Sequence, residues 1–228
     1  MGRSSMSEAE NKTGKGARVP LTPDRIVEAA FQVIEEVGLD EFSTRKLALK
    51  LHCEAMSIYH HFPSKAHLMD ALVDSTLADL PPVPDDLPFP ERVRVIFVGF
   101  RAVGLKRPSF FQFLSVHRLN TPFALTVLDR IIAEFRIVGF DDRTAAHLFR
   151  MLGYYVMGAT LDETNGYAKG GTSVQVITED DLRRDYPNVS AAGAYFSAEN
   201  WDAIFHRGLN ILLSEIETLA RELPARKA

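Results

Sequence analysis

Apolar side chains recur at three- and four-residue spacing near the start of the chain, at Ile26, Ala29, Ala30, Val33, Ile34 and Val37. This spacing places them along one face of an amphipathic helix, with acidic residues on the other face. Thr22 offers a side-chain oxygen as N-cap, and Pro23 stands where the first helical residue needs no N–H. Gly38 accepts a positive φ and ends the element. The pattern predicts a first helix over residues 23–37.

Three further helices are predicted directly after it. Ser43 or Thr44 caps a short second helix. After a tight turn, a third helix over residues 55–62 directs its apolar side chains inward and its polar and aromatic side chains outward. Ser64 caps a fourth helix over residues 65–80. Two short helices joined by a tight turn, the second with polar side chains outward, indicate a helix-turn-helix that can enter a major groove.

The residues of this segment resemble the tetracycline-repressor (TetR) family of bacterial transcription regulators. The run from Thr44 to Ala48, then residues 55–59, His61-Phe62 and Lys65, is similar in type and spacing to the family pattern T-x-R-x-[IL]-A…S-x-x-x-Y-x-[HY]-F-x-x-K. The resemblance implies a three-helix, homeodomain-like unit that binds double-stranded operator DNA. The DNA-contacting positions that it implies are Thr44, Arg45, Ser57, Tyr59, His60 and Lys65.

Each part of this implied interface has a distinct role. Thr44 and Arg45 touch the DNA backbone and the groove edge, and Lys65, at the positive end of its helix, clamps a phosphate. Ala55 and Met56 begin the recognition helix without a group that hydrogen-bonds to a base edge, so Met56 reaches thymine methyl groups at most. Base readout therefore depends on the arginine and on the polar residues that follow in the recognition helix.

The histidines and the cysteine of this segment have simple interpretations. His52 stands in the turn where the family has glycine, and histidine tolerates the left-handed backbone better than most residues do. His60 and His61 are adjacent, and neighbouring helical side chains point about 100° apart, so no metal site is predicted there. Cys53 is the single cysteine, which excludes an internal disulfide framework and fits a reducing cytosol.

The net charge of −4 is unevenly distributed along the chain. Residues 1–65 contain nine Lys/Arg and nine Asp/Glu, whereas residues 66–228 contain 17 and 21. Attraction to DNA must therefore come from a local face and from the leading segment rather than from net charge. Residues 1–20 are predicted to be a flexible basic arm. Two interpretations of this arm stay open: it enters a minor groove, or it is only a solubilising tail.

A proline-rich stretch at residues 81–90 separates two predicted domains. Residues 21–80 form the helix-turn-helix domain with its connecting helix, and residues 89–224 form a helical effector-binding and dimerisation domain. A composition of 46% hydrophobic and 25% charged residues fits a globular protein. Since no apolar run approaches the roughly 18 residues of a membrane helix, we expect a cytoplasmic protein without a membrane partner.

Helical patterns continue through the second domain. The predicted helices cover residues 92–105, 109–117 and 122–138, then run from a cap at Asp141 or Asp142 to residue 164, and from Ser197 or Glu199 to residue 223. Residues 165–196 are predicted to be a long loop that contains one short helix capped by Thr178. Because no strand-like alternation occurs, the predicted fold class is all-α and TetR-like.

A broad apolar stripe on the last helices exceeds what one small bundle easily covers. The resemblance implies an intermolecular four-helix bundle that makes the protein a homodimer. The residues predicted at that interface are Gly153, Trp201, Phe205, Leu209, Leu212, Leu213 and Ile216. The alternative is that the stripe is the domain's own core. A dimer would place two recognition helices about one DNA turn apart, which matches an inverted-repeat operator.

An aromatic and methionine-rich set in the middle helices predicts a pocket for a small apolar or aromatic effector. The predicted lining residues are Phe110, Phe113, His117, His147, Met151, Tyr154 and Tyr155. Arg118 and Arg150 are further polar anchors for a ligand. Taken alone, each of these residues is more often part of a core than a ligand contact.

No motif typical of a catalytic site occurs in the sequence, since the GxSxG, HExxH, CxxC, P-loop and Rossmann glycine patterns are all missing. We therefore predict no enzyme activity, no catalytic residues and no cofactor. The favoured function is a ligand-responsive repressor that binds an inverted-repeat operator as a homodimer. The alternative is a helical DNA-binding dimer without an effector, and a cavity in the second domain would discriminate between the two.

Overall fold

The computed structural model describes residues 20–165 and 174–223, and its regular elements are all helical over these residues. The α-helices in chain order are α1 (Pro23–Val37), α2 (Thr44–Leu51), α3 (Ala55–Tyr59), α4 (Lys65–Ala78), α5 (Phe89–Lys106), α6 (Pro108–Val116), α7 (Pro122–Val138), α8 (Asp142–Asn165), α9 (Glu179–Asp185), α10 (Pro187–Gly193) and α11 (Trp201–Arg221). The all-α prediction is confirmed. The predicted basic arm, except for its last position, and residues 166–173 of the predicted loop lie outside the described residues.

Local sequence signals set the helix starts. The side-chain oxygens of Thr22, Ser43 and Ser64 each accept a hydrogen bond from the backbone N–H three residues later, at 3.3, 3.3 and 3.4 Å. Thr178 caps α9 in the same way, at 3.2 Å. Each cap satisfies one of the N–H groups that a helix start leaves without an intrahelical acceptor. The four predicted caps are confirmed.

The structure corrects several predicted boundaries. The recognition helix α3 ends at Tyr59 and not at residue 62, and a turn carries the chain to Pro63. Helix α5 begins at Phe89, because a proline is tolerated in the first helical turn. The predicted loop contains a second short helix, α10, which starts at Pro187 for the same reason. A turn of 3-10 helix precedes α11, which begins at Trp201.

The helix-turn-helix unit shares its core with the second domain. Buried residues of α1, α2, α3 and α4 form one cluster with buried residues of α6 and α7. The rings of Phe31 and Phe110 meet edge to face with 5.2 Å between their centroids. The backbone N–H groups of Ser109 and Phe110 donate to the Glu35 carboxylate at 3.2 and 3.3 Å, so α1 supplies the cap of α6. A movement of α6 therefore acts directly on α1.

A second core is formed by α5, α7, α8 and α11. Phe205, Leu209, Leu213 and Ile216 belong to it, and each is at most 2% exposed. A single subunit already covers these four side chains, so they have no surface left for a partner. The interface prediction is wrong for them, and the own-core alternative applies. Leu212 is half-buried at the edge of the same core.

A buried ion pair joins α5 and α8 beside this core. The side chains of Arg101 and Glu163 are 9% and 7% exposed, and Nη2 lies 3.0 Å from Oε2. On α11, the Asp202 carboxylate accepts a hydrogen bond from Arg101 Nη1 at 2.8 Å, which lowers the pKa of Asp202. Burial disfavours the guanidinium charge, but the hydrogen bonds to Asp202 and Glu163 outweigh it and raise the pKa of Arg101. Three helices are thus tied to one guanidinium.

Candidate nucleic-acid interface and ligand cavity

The recognition helix is anchored by one side chain and presents the others outward. Ile58 is 1% exposed in the first core, whereas Met56 and Tyr59 are 63% and 39% exposed. The Tyr59 hydroxyl donates to Thr44 Oγ1 at 3.4 Å, a long hydrogen bond that links α3 to the start of α2. Ser57 is half-buried and His60 is exposed. The structure thus brings the predicted DNA-contacting residues of α2 and α3 onto one surface.

The turn between α2 and α3 uses a left-handed residue that is not glycine. His52 has φ 53° and ψ 43°. Its N–H donates to the Leu49 carbonyl at 3.2 Å, and the N–H of Cys53 donates to the Ala48 carbonyl at 3.0 Å. These two bonds form a Schellman motif, which ends a helix and turns the chain sharply. The histidine therefore gives the turn that glycine gives in the family pattern.

Substitution of His52 tests how far this turn limits stability. His52→Gly should match or raise the thermal midpoint, because glycine adopts the left-handed region without a Cβ penalty. His52→Val should lower the free energy of unfolding by about 1–2 kcal/mol relative to the glycine variant, since a β-branched residue is strained at positive φ. Chemical denaturation of both variants measures the difference. A valine variant as stable as the glycine variant would contradict the left-handed assignment.

The cations of this surface differ in their partners. Lys65, the first residue of α4, donates to the Phe42 carbonyl at 3.1 Å and lies 5.3 Å from the Phe42 ring centroid. An ammonium has three donors, so this bond leaves two for a phosphate. Lys46 pairs with Glu41 at 2.8 Å, and this hydrogen bond lowers the pKa of Glu41. Arg45 is exposed on the same face.

A cavity of about 450 Å³ lies between α4, α5, α6, α7 and α8 and the segment that joins α6 to α7. This volume falls within the roughly 300–1,000 Å³ of small-molecule pockets. The cavity is lined by Leu77, Ile96, Phe97, Phe100, Leu114, Ser115, His117, Arg118, Leu119, Val127, Leu128, Ile131, Phe149, Arg150, Gly153, Tyr154 and Met157. The wall is thus largely apolar, with a small number of polar groups at the α6–α7 and α8 sides.

The structure corrects most of the predicted lining. His117 and Tyr154 line the cavity, together with the predicted anchors Arg118 and Arg150. Phe110, Phe113, His147, Met151 and Tyr155 do not line it. The reasons are separate: the first two pack in or against the first core, Met151 and Tyr155 pack against the second core, and His147 is exposed on α8.

Tyr155 is held away from the cavity by a bond to α11. Its hydroxyl donates to the Phe205 carbonyl at 2.8 Å, and its ring stacks on that of Phe205 with 5.8 Å between centroids. Burial raises the pKa of Tyr155. Gly208 permits this approach, since a Cβ there would collide with the tyrosine hydroxyl. Tyr155 therefore has a structural role at the contact of α8 with α11.

Sequence reasoning missed the cavity residues of α5 and α7, among them Ile96, Phe97, Leu128 and Ile131. Their helical spacing is the same as that of ordinary core residues, so no local signal separates the two. Gly153, a predicted interface residue, lines the cavity instead. A Cβ built on it meets nothing within 4 Å, so a larger side chain there has room to extend without moving the backbone.

The cavity touches the helix that leads to the DNA-binding surface. Nε2 of His117 lies 3.6 Å from the Asp70 carboxylate of α4, and the Thr121 hydroxyl donates to Asp74 of the same helix. Leu77 of α4 is itself part of the cavity wall. Any change in the cavity therefore reaches α4 through side chains in direct contact.

Helices α8 and α11 leave apolar side chains on the surface. Ile204 and Ile211 are 53% and 65% exposed, and Tyr154 is 66% exposed. Trp201 is half-buried in a groove that also contains Tyr154, Gly158 and Ile204. Of the predicted interface residues, Trp201 and Phe205 line this groove, but Phe205 is only 1% exposed. Ile204 and Ile211 are exposed residues of α11 that the predicted interface did not include.

Over residues 20–165 and 174–223, no helix combines the length and the hydropathy that crossing a bilayer requires. No group of three or more His, Cys, Asp or Glu side chains is placed there to hold a metal ion.

Two family models match the chain. The model described as "Bacterial regulatory proteins, tetR family" matches residues 26–72, and "Tetracyclin repressor-like, C-terminal domain" matches residues 82–220. The chain is also 28% identical over 205 residues to the tetracycline repressor protein class A from transposon 1721 of Escherichia coli. That match covers 85% of this chain and 89% of the relative.

Solved structures share the fold. ActR of Streptomyces coelicolor in complex with actinorhodin has a TM-score of 0.69 and 24% identity, over 90% of this chain and 100% of that one. TetR from Acinetobacter baumannii AYE has a TM-score of 0.69 and 24% identity, over 88% and 99%. The helix arrangement described above is therefore an arrangement known from experiment.

Proposed function

The chain belongs to the tetR family of bacterial regulatory proteins, and we propose that it is a repressor that a small molecule releases from an operator. The observation that carries the proposal is the cavity whose wall contains Leu77 of α4 and whose His117 contacts Asp70 of α4. A ligand there alters the helix that positions the recognition helix. We propose that the protein has no catalytic role. We also propose that it is located in the cytoplasm, where the operator is accessible.

DNA binding in this proposal uses the surface of α2, α3 and the start of α4. Arg45 and Tyr59 are exposed there, and Met56 is 63% exposed. Phosphate contacts fix the protein on the duplex, while base-edge contacts give the sequence preference. Lys65 and Thr44 take the first role, and Arg45, Ser57 and the recognition-helix tyrosine take the second.

The proposed dimer uses α8 and α11, with a corrected interface. The exposed residues Tyr154, Gly158, Ile204 and Ile211, together with the half-buried Trp201, replace those that the subunit core covers. A two-fold axis through this surface makes the two copies contribute the same patch. Two recognition helices held about 34–36 Å apart then fit an inverted-repeat operator with half-sites one turn apart.

Effector control follows from population shift. The ligand must bind the conformation that does not bind DNA more favourably by about 5.5 kcal/mol. This preference moves the ratio of DNA-binding to non-binding conformation from 99:1 to 1:99. Two proteins of similar fold support a small-molecule ligand: ActR was solved with actinorhodin, and a variant of TetR from Acinetobacter baumannii with minocycline. A thermal-shift screen of small molecules, repeated with operator DNA from the protein's own promoter region, tests the coupling. Equal ligand affinity with and without operator would contradict it, because linkage is reciprocal.

Lys65→Ala should weaken binding to all DNA sequences alike, since it removes one phosphate contact. The slope of log K against log salt concentration should decrease in magnitude by about one unit. Fluorescence anisotropy with operator and with unrelated duplex, over a range of salt concentrations, measures both effects. Lys106→Ala is the control, because this lysine pairs with Asp79 at 3.0 Å away from the proposed DNA surface. An unchanged slope in the Lys65 variant would refute the phosphate contact.

A further inference from the structure

The charged residues of the cavity wall have one sign. The lining contains Arg118 and Arg150, and it contains no aspartate or glutamate among the described residues. The chain as a whole carries a net charge of −4, so this excess of cationic groups is local. Low-dielectric walls strengthen the field of such groups on a bound ligand. The cavity therefore favours a ligand that carries negative charge.

The two arginines stand at the open side of the cavity. Arg150 Nη2 donates to the Tyr154 hydroxyl at 3.1 Å, and its guanidinium carbon lies 4.6 Å from the centroid of that ring. This contact uses one edge of the guanidinium and leaves further N–H donors for a ligand. Arg118 is exposed on the segment between α6 and α7. A planar guanidinium matches a carboxylate in a two-point contact, which makes arginine suited to organic anions.

The rest of the wall favours a flat apolar body. Phe97 and Phe149 lie 6.5 Å apart between ring centroids, with Phe100 on the same side. Leu128 and Ile131 of α7 add aliphatic side chains to the wall. Aromatic rings stack or meet edge to face with flat ligands, and aliphatic side chains add apolar area without hydrogen-bonding demands. An extended polar ligand would leave its own groups unsatisfied against this wall.

We infer that the effector is an aromatic organic acid, with its ring system against the phenylalanines and its anionic group facing Arg118 and Arg150. This inference rests on the proposed effector site, because it specifies the chemistry of the ligand of that cavity. His117 belongs to the same cationic side but is already 3.6 Å from the Asp70 carboxylate. The two arginines are therefore the residues that distinguish an acid from its neutral analogue.

A matched pair of probes separates charge from shape. Anthraquinone-2-carboxylate and anthraquinone-2-carboxamide have almost the same size and ring system, and only the first is charged at pH 7.5. In calorimetric titrations of the full chain at 150 mM salt, the acid should bind at least tenfold more tightly than the amide. The expected ratio stays moderate because both arginines are exposed, where ion pairs are screened.

Substitutions of Arg118 and Arg150 test whether these arginines cause the difference in affinity between the acid and the amide. In Arg118→Gln/Arg150→Gln the acid should bind within threefold of the amide. Arg143→Gln is the matched control, since Arg143 is exposed on α8 and outside the cavity, and it should keep the full ratio. Gly153→Leu should weaken both probes at least tenfold, because its side chain extends into the free space beside this glycine.

The outcomes are distinct. The inference is overturned if the acid fails to bind, if the amide binds as tightly as the acid, or if the ratio survives the loss of both arginines. Binding of the amide that disappears in Gly153→Leu would still place a ligand in the cavity, so the proposed function would stand while the acid preference falls. The proposed function itself fails if saturating ligands of every class leave operator affinity unchanged.

Discussion

Replacing Arg101 by methionine should lower the free energy of unfolding by about 3–5 kcal/mol, because it leaves the buried Glu163 carboxylate without its partner. The two side chains are 9% and 7% exposed, so water does not replace the lost contact. Methionine keeps much of the apolar contact with the Phe205 ring, over which the guanidinium carbon lies at 4.3 Å. Chemical denaturation at pH 7 measures the loss.

The double variant Arg101→Met/Glu163→Leu provides the control. When both buried charges are replaced by apolar groups, the desolvation cost disappears, and stability should return to within about 1–2 kcal/mol of the wild type. Asp202 tolerates the change because its side chain is 73% exposed. A single variant as stable as the wild type, or a double variant as unstable as the single one, would contradict the importance of the buried pair.

The sequence predicted the helix starts because their causes are local. A cap such as Thr22 or Ser64 bonds to an N–H three residues away, so both partners lie within one short window. The left-handed turn at His52 is local in the same way, since its bonds reach back only three to five residues. The end of α3 was harder to predict, because the N–H of Phe62 still donates to the Ile58 carbonyl at 2.9 Å although the regular helix ends at Tyr59.

The functional surfaces of the second domain depend on which helices pack against each other. The spacing of apolar residues in the sequence does not show which helices these are. The stripe containing Phe205 and Leu209 correctly identified the buried face of α11, but the same stripe fits an internal core or a partner. The Phe110 and Phe97 positions have similar helical patterns, yet the first packs against α1 and the second lines the cavity. Only the packing of distant helices separates such residues. The cationic anchors were predictable, because a charged side chain near an apolar helix stands out in sequence.

Ile211→Glu should weaken dimerisation at least 100-fold and reduce operator affinity with it. Ile211 is 65% exposed in the single subunit, so the substitution spares the core, unlike a change at Leu213, which is 2% exposed. At a two-fold interface both copies would bury a glutamate, each at a cost of several kcal/mol, and about 1.4 kcal/mol corresponds to a factor of ten. If the interface is obligate, it buries about 2,000 Å² or more. Analytical ultracentrifugation and operator titrations measure the two effects.

Ile137→Glu separates this effect from a general cost of surface charge. Ile137 is 66% exposed on α7, so the same change at equal exposure should leave both dimer and operator affinity unaltered. Dimerisation and operator affinity are expected to be lost together in the Ile211 variant. A monomer binds one half-site and lacks the additional affinity that a second, linked helix-turn-helix gives. A wild type that sediments as a monomer at micromolar concentration would refute the dimer. An Ile211 variant that is monomeric yet keeps full operator affinity would instead show that one helix-turn-helix is sufficient for repression.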